Sequence, residues 1–165
     1  MNPLAARSGR VALASVVQLA LVALAVAGPL SARLTGEEYL LEVAPVDPVD
    51  PFRGAYVALS YPGLPGGGDL GDRPHGSGVV YVPLVRSGEL WVARGVRTEP
   101  PDSPPYLRCH DDGWQLRCGI ESWFLPQDDA YAMEQAVQDG RAVATVRIDG
   151  RGNAALMDVQ VRDGK

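Results

Sequence analysis

Two aspartates stand three apart in "VDPVDP", Asp47 and Asp50, each followed by a proline. Pro48 and Pro51 stiffen the link, so the carboxylates can be held at a set separation, as acid/base or glycosidic chemistry requires. The plainer reading is that Asp before Pro starts turns. Glu121, in "GIESWFL", is the third carboxylate on which an envelope hydrolase would draw. Other reactive types are scarce. The only histidines are His75, in a glycine-rich stretch, and His110, beside a turn, and no "GxSxG" elbow locates a serine nucleophile. A Ser-Lys mechanism needs a lysine buried in the domain, whereas the single lysine here is Lys165. No catalytic set is therefore assigned.

Cys109 and Cys118 lie on either side of a turn at Asp111 to Gly113. If the loop has four residues they face each other and can form a disulfide, contributing on the order of 3 kcal/mol. The functional alternative is a metal site using Cys109, His110 and Cys118 with His75 or an aspartate. Neighbours on a strand point to opposite faces, so one ion could not easily take both Cys109 and His110. A disulfide is the reading adopted, with no metal and no cofactor. Gly66, Gly68 and Gly71 have GxGxxG spacing, but Pro74 and more glycines follow where a nucleotide fingerprint needs a helix.

The scaffold that carries these residues is mostly strands. "EEYLLEVAPVDP" (37–48) reads as a first strand ended by Pro48. "AYVALSY" (55–61) alternates, with Ala55, Val57, Leu59 and Tyr61 on one face. Residues 62–78 hold seven Gly and three Pro and read as a surface loop. Residues 79–100 read as a hairpin around Ser87 and Gly88, 106–118 as a second hairpin, and 119–125 as a further strand. Pro126 to Asp139 is a short helix candidate: Pro in the first turn, Asp128 and Asp129 at its positive end, Gly140 as the stop. Residues 142–148 and 154–161 flank "DGRGN" as a closing hairpin. The fold class is mainly β, an antiparallel sheet or barrel-like domain of hairpins with one short helix, preceded by an N-terminal transmembrane helix.

That first helix sets the compartment. Val11 to Ala27 is apolar except for Ser15 and Gln18, and a run reaching Leu30 can just cross a hydrocarbon core of roughly 30 Å. Arg7 and Arg10 precede it; Glu37, Glu38 and Glu42 follow. The positive-inside rule then gives a cytoplasmic N-terminus (1–10), an anchor (11–30) and an extracytoplasmic domain (34–165) at the cytoplasmic membrane. A cleaved signal peptide is the competitor, since "AVAG" at 25–28 has small residues in a cleavage pattern. Beyond Gly36 there are 20 acids against 12 bases, a net charge of −8, which disfavours nucleic acid as a partner.

With those residues in view, the chain resembles the GDYXXLXY family, bacterial membrane-anchored proteins of uncharacterised function named for that motif. Gly54, Tyr56, Leu59 and Tyr61 fill the motif's positions within "PFRGAYVALSY". "GIESWFLPQ" (119–127) is similar to the family's Gly-hydrophobic-Glu-aromatic-Phe segment, and "DGRGNAALMDVQVRDGK" to its C-terminal hairpin. Ala55 stands where the family has Asp, a residue whose simplest role is to accept backbone hydrogen bonds as a strand begins. The resemblance implies a multi-spanning membrane protein as a possible partner.

Strand geometry accounts for most of the motif: Pro51 fixes the approach, Gly54 permits a bend, and Val57, Leu59 and Tyr61 bury one face. Arg53, Tyr56 and Glu121 are left over. They line a binding surface, or Arg53 and Glu121 pair structurally. The functional expectation is an accessory or interaction module for an envelope membrane protein. Its rivals are a hydrolase using Asp47, Asp50 and Glu121, and a small-ligand sensor with the Gly-rich loop as a lid.

Overall fold

The computed structural model describes residues 3–45, 56–65, 78–113, 115–124 and 142–162. It opens with one long helix, α1 (Pro3–Thr35), carrying Arg33 in its last turn, where a cation suits the negative helix end. The stretch Arg10–Thr35 is long and apolar enough to span a membrane. The helix runs through Pro29 and past the expected limit at Leu30. It stops at Gly36, whose N–H bonds the Ala32 carbonyl at 2.9 Å. A Cβ at Gly36 would lie 2.4 Å from that oxygen and 2.9 Å from the Ile148 backbone, so only glycine lets the chain turn here directly into a strand.

Nine strands follow: β1 (Glu37–Pro45), β2 (Tyr56–Ser60), β3 (Gly78–Ser87), β4 (Leu90–Ala93), β5 (Tyr106–Asp111), β6 (Leu116–Arg117), β7 (Ser122–Phe124), β8 (Ala142–Ile148) and β9 (Ala154–Val161). They form two curled antiparallel sheets, ordered β7-β2-β1-β8-β9 and β4-β3-β5-β6. The mainly β expectation therefore holds, and its hairpins fall where turn chemistry placed them. Gly88, at φ 66°, opens the β3–β4 turn, and Ser87 pairs with Leu90 across it. Gly113, at φ 86°, turns β5 into β6.

Period-2 burial builds one core between the sheets. Tyr39, Leu41 and Val43 from β1, Val80, Val82 and Leu84 from β3, Leu107 and Cys109 from β5 and Ala144 and Val146 from β8 all belong to it. The intervening Glu38, Leu40 and Glu42 point outward. Tyr39 stands edge-on to Trp91, ring centres 5.0 Å apart, joining the first sheet to β4 of the second.

Some strands are shorter than their apolar patterns. β4 ends at Ala93; the Arg94 N–H still donates to the Pro83 carbonyl of β3 at 2.8 Å, and after Gly95 at φ 90° has broken the extended backbone the chain meets β3 again at the Tyr81–Arg97 bridge. β7 begins only at Ser122, because Gly119 at φ 84° turns the chain first. The helix expected over 126–139 lies outside the described residues, as do Asp47, Asp50, Arg53, Gly54, Ala55 and His75.

Candidate functional site

The described part of the family motif forms a corner where the chain crosses between sheets. β2 pairs with β7 so that Tyr56 faces Phe124 and Val57 faces Trp123. Ladder bonding continues where the Leu59 N–H donates to the Glu121 carbonyl at 2.9 Å. Leu59 and Tyr61 are 3% and 6% exposed, both within the core. The Tyr61 hydroxyl donates to the Ile120 carbonyl at 2.6 Å. Burial raises its pKa, and the nearby Glu121 charge raises it further, so the phenol stays a hydrogen-bond donor.

Glu121, half-buried, folds back on its own turn. Its carboxylate accepts the backbone N–H of Cys118 and, at 3.0 and 3.1 Å, that of Gly119. An anionic acceptor on successive backbone donors stabilises the turn that carries the chain from β6 to β7. Its oxygens are thus engaged with the backbone rather than presented outward. The structure brings Leu59, Tyr61 and Glu121 together, while the backbone of Tyr56 lies further along the same ladder, opposite Phe124.

Cys109 and Cys118 are joined, with Cα atoms 4.2 Å apart. The register explains the reach. Asp111 pairs with Leu116 and His110 with Arg117, which leaves a four-residue turn and sets the cysteines opposite one another. His110 points to the exposed face, 3.4 Å from Asp112, while Cys109 is buried. The corner is thereby tied to β5 immediately before Glu121 caps it.

A second polar centre had no counterpart in the sequence reading. Asp149, 4% exposed, sits in the β8–β9 turn and gathers donors from two distant parts of the chain. Its Oδ1 accepts the N–H groups of Arg151 (2.9 Å) and Asn153 (3.0 Å); its Oδ2 accepts the Asn153 amide (2.8 Å) and the Ser31 hydroxyl (2.6 Å). Burial works to raise its pKa, but these hydrogen bonds, the Asn153 and Ser31 side chains foremost, outweigh it and hold the carboxyl below its usual value. Arg151 bonds Ser31 Oγ at 2.9 Å and lies 3.7 Å from Asp149. Ala32 is fully buried, and the Arg147 side chain donates to the Arg33 carbonyl. The end of α1 is therefore locked onto the β8–β9 hairpin. "DGRGN" announces a turn, but nothing local could indicate that its Asp reaches a serine 118 residues away.

Both centres are built to hold elements together: one closes the crossing between sheets, the other joins the helix to the domain. Searches of curated proteins and of solved structures find no match. The family model for "GDYXXLXY protein" matches residues 18–159, spanning the second half of the helix, the motif corner and the closing hairpin, and the chain belongs to the GDYXXLXY family.

Proposed function

We propose that the chain is a single-pass protein of the cytoplasmic membrane, with its N-terminus inside and its β domain outside, and that this domain is an accessory module docking onto another membrane protein of the envelope. The observation that carries this reading is the joint between α1 and the β8–β9 hairpin. The helix is exposed from Val11 through Ala27, so its apolar surface has no cover within the described residues, yet its last turns are fixed to the sheet through Ser31 and Asp149. Cleavage near Gly28 would separate the apolar run from a helix end that the domain binds, which favours retention of the anchor over a signal peptide. A rigid joint also holds the domain in one orientation to the bilayer, as docking against a membrane neighbour requires. Arg7 and Arg10 before the span support the orientation. The Cys109–Cys118 bridge suits an oxidising compartment.

The hydrolase reading loses support at Glu121, whose oxygens are occupied by backbone donors. The deciding experiment is co-purification. The C-terminally tagged chain, extracted from native membranes in mild detergent, should bring down a multi-spanning membrane protein in fixed proportion. Repeated recovery of the chain alone would remove the accessory role while leaving the anchor intact.

A further inference from the structure

Where α1 meets the domain there is an open cleft of about 660 Å³. One wall is helix, including Leu24 and Ala27; the other is the outer face of the second sheet, with Tyr81, Tyr106 and Arg108; Arg151 closes the side toward the hairpin. We propose that this cleft binds the headgroup and first acyl carbons of an anionic phospholipid from the surrounding leaflet. The proposal rests on the membrane reading above and adds a specific ligand site to it.

Depth is the first argument. The helix is exposed from Arg10 to Ala27 and touches the domain from Gly28 on, where a Cβ would come within 3.2 Å of the Asn153 amide oxygen. Seventeen residues, Val11 to Ala27, span roughly 26 Å, close to a hydrocarbon thickness of roughly 30 Å. Leu24 to Pro29 therefore stands at the boundary between acyl chains and headgroups, and the cleft opens at that level.

Charge is the second. The domain is strongly acidic overall, yet the described lining of this cleft contains Arg108 and Arg151 and no acid. Arg108 is exposed, and its side chain has no ion-pair or hydrogen-bond partner among the described residues. Its backbone, by contrast, is tied down, donating to the Gly152 carbonyl at 2.8 Å. Two guanidinium groups beside an apolar helix wall match a phosphate diester with its acyl chain attached.

Shape is the third. Tyr81 and Tyr106 stand edge to face, ring centres 5.8 Å apart, and the Tyr106 hydroxyl is held by the Gly150 carbonyl at 3.1 Å. Amphipathic rings at headgroup level are what a membrane interface selects. A neighbouring transmembrane helix would fill the apolar wall but would leave Arg108 without an anion, Arg151 having only Asp149 at 3.7 Å.

The test uses the full chain in nanodiscs of phosphatidylglycerol and phosphatidylcholine, with a photoactivatable phosphatidylglycerol bearing its diazirine near the glycerol end of one acyl chain. Labelled peptides should map to residues 24–29 and 106–108. Arg108→Glu should reduce that labelling roughly fivefold or more, Arg108→Lys should largely restore it, and both variants should melt with the parent. Photoactivatable phosphatidylcholine should label the cleft less than phosphatidylglycerol does. Labelling spread evenly around the helix, or unchanged in Arg108→Glu, overturns the proposal. So does full competition by inorganic phosphate, which would make the site one for a small soluble anion. A chain that inserts into nanodiscs but shows no cleft labelling sinks the lipid site alone; a chain that alkaline carbonate releases from native membranes sinks the membrane reading and this site with it.

Discussion

Tyr61 is the residue on which the motif corner turns. Its ring is part of the core and its hydroxyl satisfies a main-chain carbonyl at the point where β6 gives way to β7. Tyr61→Phe keeps the ring and leaves the Ile120 carbonyl unpaired, so stability should fall by about 1–2 kcal/mol in equilibrium denaturation, with the fold retained. An unchanged midpoint would mean that the hydroxyl serves something other than the fold. Tyr39 gives the matching pH prediction. Burial first, and then the hydrogen bond and charge of Glu37, push its pKa from 10.0 up to about 12. The folded state thus holds this proton more tightly than the unfolded chain does. The stability it contributes is present below pH 10 and should be lost as pH rises through 10 toward 12, and Tyr39→Phe should flatten that part of the pH–stability profile. A variant profile that keeps the full alkaline slope would assign the effect to other groups.

Among the elements, the joint between α1 and the β8–β9 hairpin matters most. Asp149→Ala would strand the Ser31 hydroxyl, the Asn153 amide and two backbone N–H groups, a loss of about 2–3 kcal/mol if the sheet survives. Hydrogen exchange should then accelerate at residues 149–153 and in the last turn of α1, while the β3–β5 pairing stays protected. Acid should act in the same direction. Because the folded-state pKa of Asp149 lies below 3.8, its contribution is present above that value and disappears as pH falls through the folded pKa. Equal acceleration throughout both sheets would show that the joint is not a separate cooperative unit. The hairpin itself was legible, since "DGRGN" between two alternating apolar runs is turn chemistry. Its partner was not, because a buried aspartate recruits donors from wherever the fold brings them.

On the scale of the molecule, an apolar helix long enough to span a membrane runs without a linker into a two-sheet domain, and under the proposed anchoring the two would move as one body. The full chain should sediment with membranes after alkaline carbonate and retain its N-terminal segment, whereas a soluble product beginning near Gly28 would overturn the anchor. Much of the architecture was readable in advance for a physical reason. Helix and strand periodicities and Gly/Pro turns act over a few residues, so they specify α1, the hairpins and the inward placing of Leu59 and Tyr61. Local pattern alone was enough for that apolar helix, the charge asymmetry around it and the β-rich domain that follows. It took the packed fold to show that Glu121 caps its own turn, that Tyr61 serves Ile120, and that Asp149 reaches Ser31 to lock the helix beside two arginines. Each depends on how separate elements pack, and packing chooses partners across distances that local pattern does not encode.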